Sequence, residues 1–95
     1  MEQIRHFLNS DGLLKLFPAK RKMKIHVLFY LASKFESGRQ YTEQEVNHLL
    51  LRWHTFGDPA TLRREMVDYH LLIRSADGRS YHLNPTPPTP EELIP

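Results

Sequence analysis

The feature that most constrains this chain is a pair of sharply bounded helix signals only a few residues apart. Thr42 is followed three positions on by Glu45, the spacing of a capping box. In that motif the hydroxyl accepts from the third helical N–H, and the carboxylate returns to the cap's own N–H. Tyr41 precedes the cap and Val46 is the fourth helical residue, so the two are placed as a hydrophobic staple. Val46, Leu49, Leu50 and Trp53 then recur at helical intervals, which predicts a helix to near His54 with Trp53 in its core stripe. A second start follows at Asp58, an N-cap residue, with Pro59 in the first turn where its missing N–H costs nothing. Leu62, Met66 and Tyr69 mark the buried stripe of this helix, which runs to Tyr69 or His70. Between the two, His54 to Gly57 leaves room for a tight turn only.

Two short β-prone runs follow, Leu71 to Arg74 and Ser80 to Leu83. Ser75-Ala76-Asp77-Gly78-Arg79 between them reads as a hairpin turn, with glycine where positive φ is needed. Helix, tight turn, helix and hairpin in that order are the winged-helix arrangement. Upstream, Ile25, Leu28, Leu31, Ala32 and Phe35 share one face of a helix predicted from Lys20 to Phe35. Its opening, Lys20-Arg21-Lys22-Met23-Lys24, is strongly basic although cations at a helix N-terminus oppose the macrodipole. Glu2 to Leu8 reads as a short helix ended by Asn9-Ser10-Asp11-Gly12, and Leu13 to Phe17 as an extended or irregular stretch packed on the core before Pro18. The expected fold is mostly α with a small β-hairpin, a winged helix-turn-helix with an extra N-terminal helix. Residues 1–83 form its single domain, and 84–95 a proline-rich tail, polyproline-like or disordered.

Composition removes several classes of function. The chain has 95 residues, enough for one core, and no cysteine, which excludes a disulfide scaffold, a thiolate zinc site and a cysteine nucleophile. No apolar run approaches the roughly 18 residues of a membrane span, and no secretory signal is read, so the expected location is the cytoplasm. The net charge is +2, from 13 Lys and Arg against 11 Asp and Glu. Two of those acids, Glu91 and Glu92, sit in the tail, which leaves the preceding part mildly basic. That balance permits a nucleic-acid partner without requiring one.

The stretch Tyr41-Thr42-Glu43-Gln44-Glu45-Val46-Asn47, followed by Leu62-Arg63-Arg64-Glu65-Met66-Val67-Asp68-Tyr69, resembles a bacterial family, domain of unknown function 2087. Pro18-Ala19-Lys20-Arg21-Lys22 and Asp77-Gly78-Arg79-Ser80-Tyr81 fit the same pattern, and the resemblance spans about Leu13 to Leu83. It implies a winged-helix-like domain and a possible transcriptional regulator, but no known activity or site. The chain departs from the family pattern at His70, where a glycine closing the helix would be expected.

The candidate DNA contacts are cations. Lys20, Arg21, Lys22 and Lys24 could track a phosphate backbone. Arg63 and Arg64 could reach base edges or phosphates from a recognition helix, and Arg74 and Arg79 flank the wing. The competing reading is a solvated surface with local ion pairs, Arg64 with Asp68 among them. The six histidines offer no pair at the one-turn spacing of a helical metal site, so no metal or cofactor is expected. Trp53 with Phe56 could stack on a base, but the spacing favours core. Asn47 could bond a neighbouring loop or a partner. The serines lack a nucleophile context and the glycines form no phosphate-cradling loop, so an enzyme is not expected. Two functions remain: a regulator binding double-stranded DNA, or a winged-helix module binding a protein partner. Oligomeric state stays open and is compatible with a homodimer.

Overall fold

In the computed structural model, which describes residues 2–94, the two local signals produce adjacent helices in the order expected. Three longer helices are α1 (Arg21–Ala32), α2 (Glu43–Trp53) and α3 (Pro59–Asp68). Three short strands, β1 (Tyr41–Thr42), β2 (Leu72–Arg74) and β3 (Ser80–Leu83), form an antiparallel sheet in the order β1-β3-β2. The hairpin pairs Ile73 with His82 and Arg74 with Tyr81, and β1 adds to its far side through Tyr41 opposite Tyr81. The fold is therefore mostly α with a small sheet. β1 ends where the α2 cap begins, so the residues that start the helix also tie it to the sheet.

The core is built from the predicted stripes. Ile25, Leu28 and Leu31 of α1, Val46 and Leu50 of α2, and Leu62 and Met66 of α3 are fully buried. Thr42 accepts from Glu45 N–H at 3.1 Å, and the Glu45 carboxylate accepts from Thr42 N–H at 2.8 Å, which completes the capping box. Tyr41 is buried beside Val46, the staple pair. Asp58 accepts from Thr61 N–H at 3.2 Å and caps α3.

α3 ends in a Schellman arrangement. Leu71 N–H donates to Met66 at 2.8 Å and His70 N–H to Val67 at 3.0 Å. His70 takes a φ of +64°, the left-handed conformation that this closure demands and that glycine adopts most readily.

Four expectations are adjusted. The N-terminal helix is a 3-10 helix, Glu2–Phe7. α1 is shorter than its apolar pattern, because after Ala32 the bonds tighten to three-residue turns that carry Phe35 into the core. Trp53 is half-buried at the edge of the core rather than within it. The tail, expected to be extended or disordered, contains a helical turn, α4 (Pro90–Leu93), with a second capping box between Thr89 and Glu92. It packs against α1, and Arg21 Nε donates to the Leu93 carbonyl at 3.1 Å. A threonine three residues before a glutamate, with proline between, was the local signal for that turn. The irregular stretch before α1 sits as expected. Leu14 is fully buried, and bridges the end of α2 by donating to Trp53 at 2.8 Å and accepting from Thr55 at 2.9 Å.

Candidate nucleic-acid interface

α3 and the β2–β3 hairpin flank a cleft of about 260 Å³ lined by Glu43, Arg63, Arg64, Asp68, Arg74 and Tyr81. The two arginines that begin α3 play different parts. Arg63 is turned inward, its side chain 13% exposed, and donates to the Asn47 carboxamide oxygen of α2. Its second nitrogen lies 3.9 Å from Glu43 Oε1, and Tyr81 of β3 donates its hydroxyl to that same oxygen at 3.0 Å. Arg63 is thus the hub of a polar network joining α2, α3 and the sheet. Arg64, one residue on, is exposed and makes neither an ion pair nor a hydrogen bond, so the Arg64–Asp68 pair suggested by spacing does not form. Its charge is felt by Asp58 at the start of the helix.

The hairpin cations differ in the same way. Arg74 folds over its own turn, where a Cβ on Gly78 would come within 2.6 Å of the guanidinium. Gly78 has a φ of +74°, so the turn needs glycine for its backbone; the guanidinium above it is the free end of an exposed side chain. Arg79 is exposed at the tip, and its side chain is unpaired. Its backbone N–H donates to Asp77 at 3.0 Å and to the Ser75 hydroxyl at 3.2 Å.

The basic opening of α1 divides by helical face. Lys24 pairs with Glu65 of α3 at 3.0 Å, and the Arg21 guanidinium lies 5.1 Å from the ring centre of Tyr69. These two hold α1 against α3. Lys20 and Lys22 are exposed, and among the described residues their side chains have no ion-pair or hydrogen-bond partner. Of the eight cations singled out from the sequence, Lys24 and Arg63 are committed to the fold, and Arg21 and Arg74 are partly engaged. Lys20, Lys22, Arg64 and Arg79 are open to a partner.

His54 sets the angle at which α3 leaves α2. It is 4% exposed and the one buried polar residue among those described. Its Nδ1 lies 2.6 Å from the Leu50 carbonyl, and its Nε2 accepts from the Asp58 backbone N–H at 2.8 Å. Both bonds together require a neutral ring with its proton on Nδ1. Phe56 covers the ring, with centroids 4.5 Å apart. The tight turn is thus clamped from inside by one imidazole bonded to the last turn of α2 and the cap of α3.

The carboxylates at these turns sit below their ordinary titration range. The Thr42 backbone N–H lowers Glu45, and Thr61, through its hydroxyl and its N–H, lowers Asp58. The Ser75 hydroxyl lowers Asp77 in the hairpin turn. Each is held ionised by donors built into the local turn.

Trp53 lies beneath the Lys34 ammonium, 4.1 Å from the ring centre, and is met edge-on by Tyr30. One face is therefore already stacked. Asn47 is taken up by Arg63. Among the described residues no group of three histidines or carboxylates is arranged to hold a metal, and no helix is long and apolar enough to cross a membrane. Sequence reasoning missed His54 as a clamp, and Glu43 and Tyr81 as partners of Arg63. Glu43 and Asn47 stand one turn apart on α2, a spacing that could have marked them as a shared polar face.

No curated protein and no solved structure matches the chain significantly. A family model described as an uncharacterized protein conserved in bacteria (DUF2087) matches residues 13–83. That match takes in α1, the helix pair with its buried His54 clamp, and the whole sheet, and on it the chain belongs to the domain of unknown function 2087 family.

Proposed function

We propose that this chain is a winged helix-turn-helix domain that binds double-stranded DNA and acts in transcriptional regulation in the cytoplasm. The observation that carries the reading is the order α1-β1-α2-α3-β2-β3 with β1 paired to β3. This order leaves Arg64 on the open side of α3, next to a hairpin tipped by Arg79. A major groove about 12 Å wide admits such a helix. Arg64 meets a base edge or a phosphate, and Arg79 and the exposed lysines of α1 meet phosphates. Arg63 and Lys24 hold the helix in place and make no contact. The reading is of a binding domain, with no catalytic role assigned to any residue.

Affinity should be modest. Along α3 and the hairpin, Arg63, Arg64, Arg74 and Arg79 are matched by Asp58, Glu65, Asp68 and Asp77. With about four phosphates neutralised, a fourfold rise in salt weakens binding on the order of a hundredfold. Fluorescence anisotropy with labelled duplexes at low and moderate salt tests this. Binding that fades steeply with salt is expected. No binding to any duplex at low salt would reject the reading and leave the protein-binding alternative, which the apolar groove beside α1 favours.

A further inference from the structure

Positive charge is concentrated away from α3. Arg5, Lys15, Lys20, Arg21, Lys22 and Lys24 stand against only Glu2 and Asp11 before Ile25. From Ile25 onward the remaining acids outnumber the remaining Lys and Arg. Within this basic quarter the fold leaves an open groove of about 460 Å³ between the 3-10 helix, the irregular stretch and the start of α1. Phe7, Leu16, Pro18, Ala19 and Met23 make an apolar floor, and Gln3, His6 and Lys20 complete the lining. Leu16 is 48% exposed, the most exposed of the large apolar side chains described. Lys20 lines the groove, the exposed Lys15 and Lys22 are chain neighbours of its lining residues Leu16 and Met23, and none of the three has an ion-pair partner among the described residues. No carboxylate lines the groove among the described residues.

We infer that this groove is a docking site for another protein, through a short acidic segment that presents apolar side chains on one face and carboxylates at their flanks. An exposed apolar floor marks an interaction surface, and the rim fixes the sign of what covers it. Two copies of this chain meeting face to face would set lysine rim against lysine rim, so charge selects against self-association. The apolar floor of the groove is a different surface from the Arg64 side of α3; Lys20 is shared with the proposed DNA contacts, so Leu16→Glu is the change that separates the two readings.

The test uses the full chain and two synthetic peptides of identical composition. One is an amphipathic helix with leucines one turn apart and glutamates flanking them, and the other is its scramble. Anisotropy gives affinity, and amide NMR shifts give location. The expected result is amphipathic-peptide binding at least tenfold tighter than the scramble, with shifts centred on Leu16 and Met23. Leu16→Glu, and separately the exposed-site change Lys20→Glu, should each weaken it at least tenfold without lowering the melting temperature. Equal binding of both peptides, or shifts confined to α3 and the hairpin, would overturn the inference. So would a dimer, seen by sedimentation without peptide, that Leu16→Glu abolishes, since that would give the groove to a second copy. Displacement of the peptide by duplex DNA with the same sensitivity to Leu16→Glu would overturn it as well.

Discussion

The pair α2–α3 and the segment before α1 are built on opposite terms. In the helix pair the polar groups at the caps, the turn and the contact with the sheet are paired inside the molecule. His54 satisfies a carbonyl and an N–H, Arg63 joins Asn47 and Glu43, and both helices begin on capped turns. In the segment from Phe7 to Met23 cations and apolar side chains stand side by side on the surface, and α1 begins at Lys20 with no side-chain cap. The first region is held by its own side chains, so a cation there that stays unpaired, as Arg64 does, stands out. The second gives up local stability, since basic residues at a helix start are unfavourable. Of the four cations there, Arg21 and Lys24 tie α1 to the tail turn and to α3, and Lys20 and Lys22 are left open to a partner.

The sharpest way to break this comparison is to remove the clamp. His54→Ala leaves the Leu50 carbonyl and the Asp58 N–H without their partner in a buried turn, and should cost roughly 2–3 kcal/mol. Chemical denaturation measures it, and a loss as small as that of an exposed substitution would mean that the turn holds its shape without the imidazole. Next is the cap of α2, where Thr42→Ala should cost about 1 kcal/mol. An equal loss on replacing Lys20 by alanine would erase the contrast between a capped and an uncapped helix start.

A gain is expected at the far end of α3. His70 adopts positive φ without being glycine, so His70→Gly should stabilise by about 0.5–1 kcal/mol. A raised melting temperature is the readout; a drop would show that the histidine side chain contributes more than its backbone conformation costs.

The smallest effect is the response to acid. Glu45, Asp58 and Asp77 titrate below their ordinary values in the folded chain. The unfolded chain therefore takes up these protons first as pH falls. The contribution is complete above the ordinary carboxylate range and is lost as pH drops through the lowered values. Melting temperatures across that range, for the parent and for Thr42→Ala, follow it. The variant should lose less on acidification, because its Glu45 no longer has the full capping box; identical slopes would separate the cap from the acid response.

These contrasts also mark what the sequence discloses. Both caps, the staple, the tight turn and the hairpin were legible, because each depends on residues within a few positions of one another. The left-handed position was legible too, as a departure at His70 from a pattern with glycine. Which cations stay free was not. Arg63 and Arg64 are neighbours of the same type, and only the docking of α2 turns one inward. Lys24 meets Glu65 because of how α1 crosses α3. The tail turn was hidden by its prolines, although Thr89 and Glu92 carried the same signal as Thr42 and Glu45.

The division between Arg63 and Arg64 is the centre of the account, and one measurement addresses it directly. The slope of log affinity for duplex DNA against log salt is determined for the parent, Arg64→Ala and Arg63→Ala, with a melting curve for each. Arg64→Ala should flatten the slope by about 0.9 if the residue meets a phosphate, or leave the slope and relax sequence preference at one base pair if it meets a base edge, with melting unchanged in either case. Arg63→Ala should lower the melting temperature and leave the slope as in the parent. The account is contradicted if Arg63→Ala flattens the slope without lowering the melting temperature, or if Arg64→Ala changes neither salt slope nor sequence preference in a domain that still binds DNA.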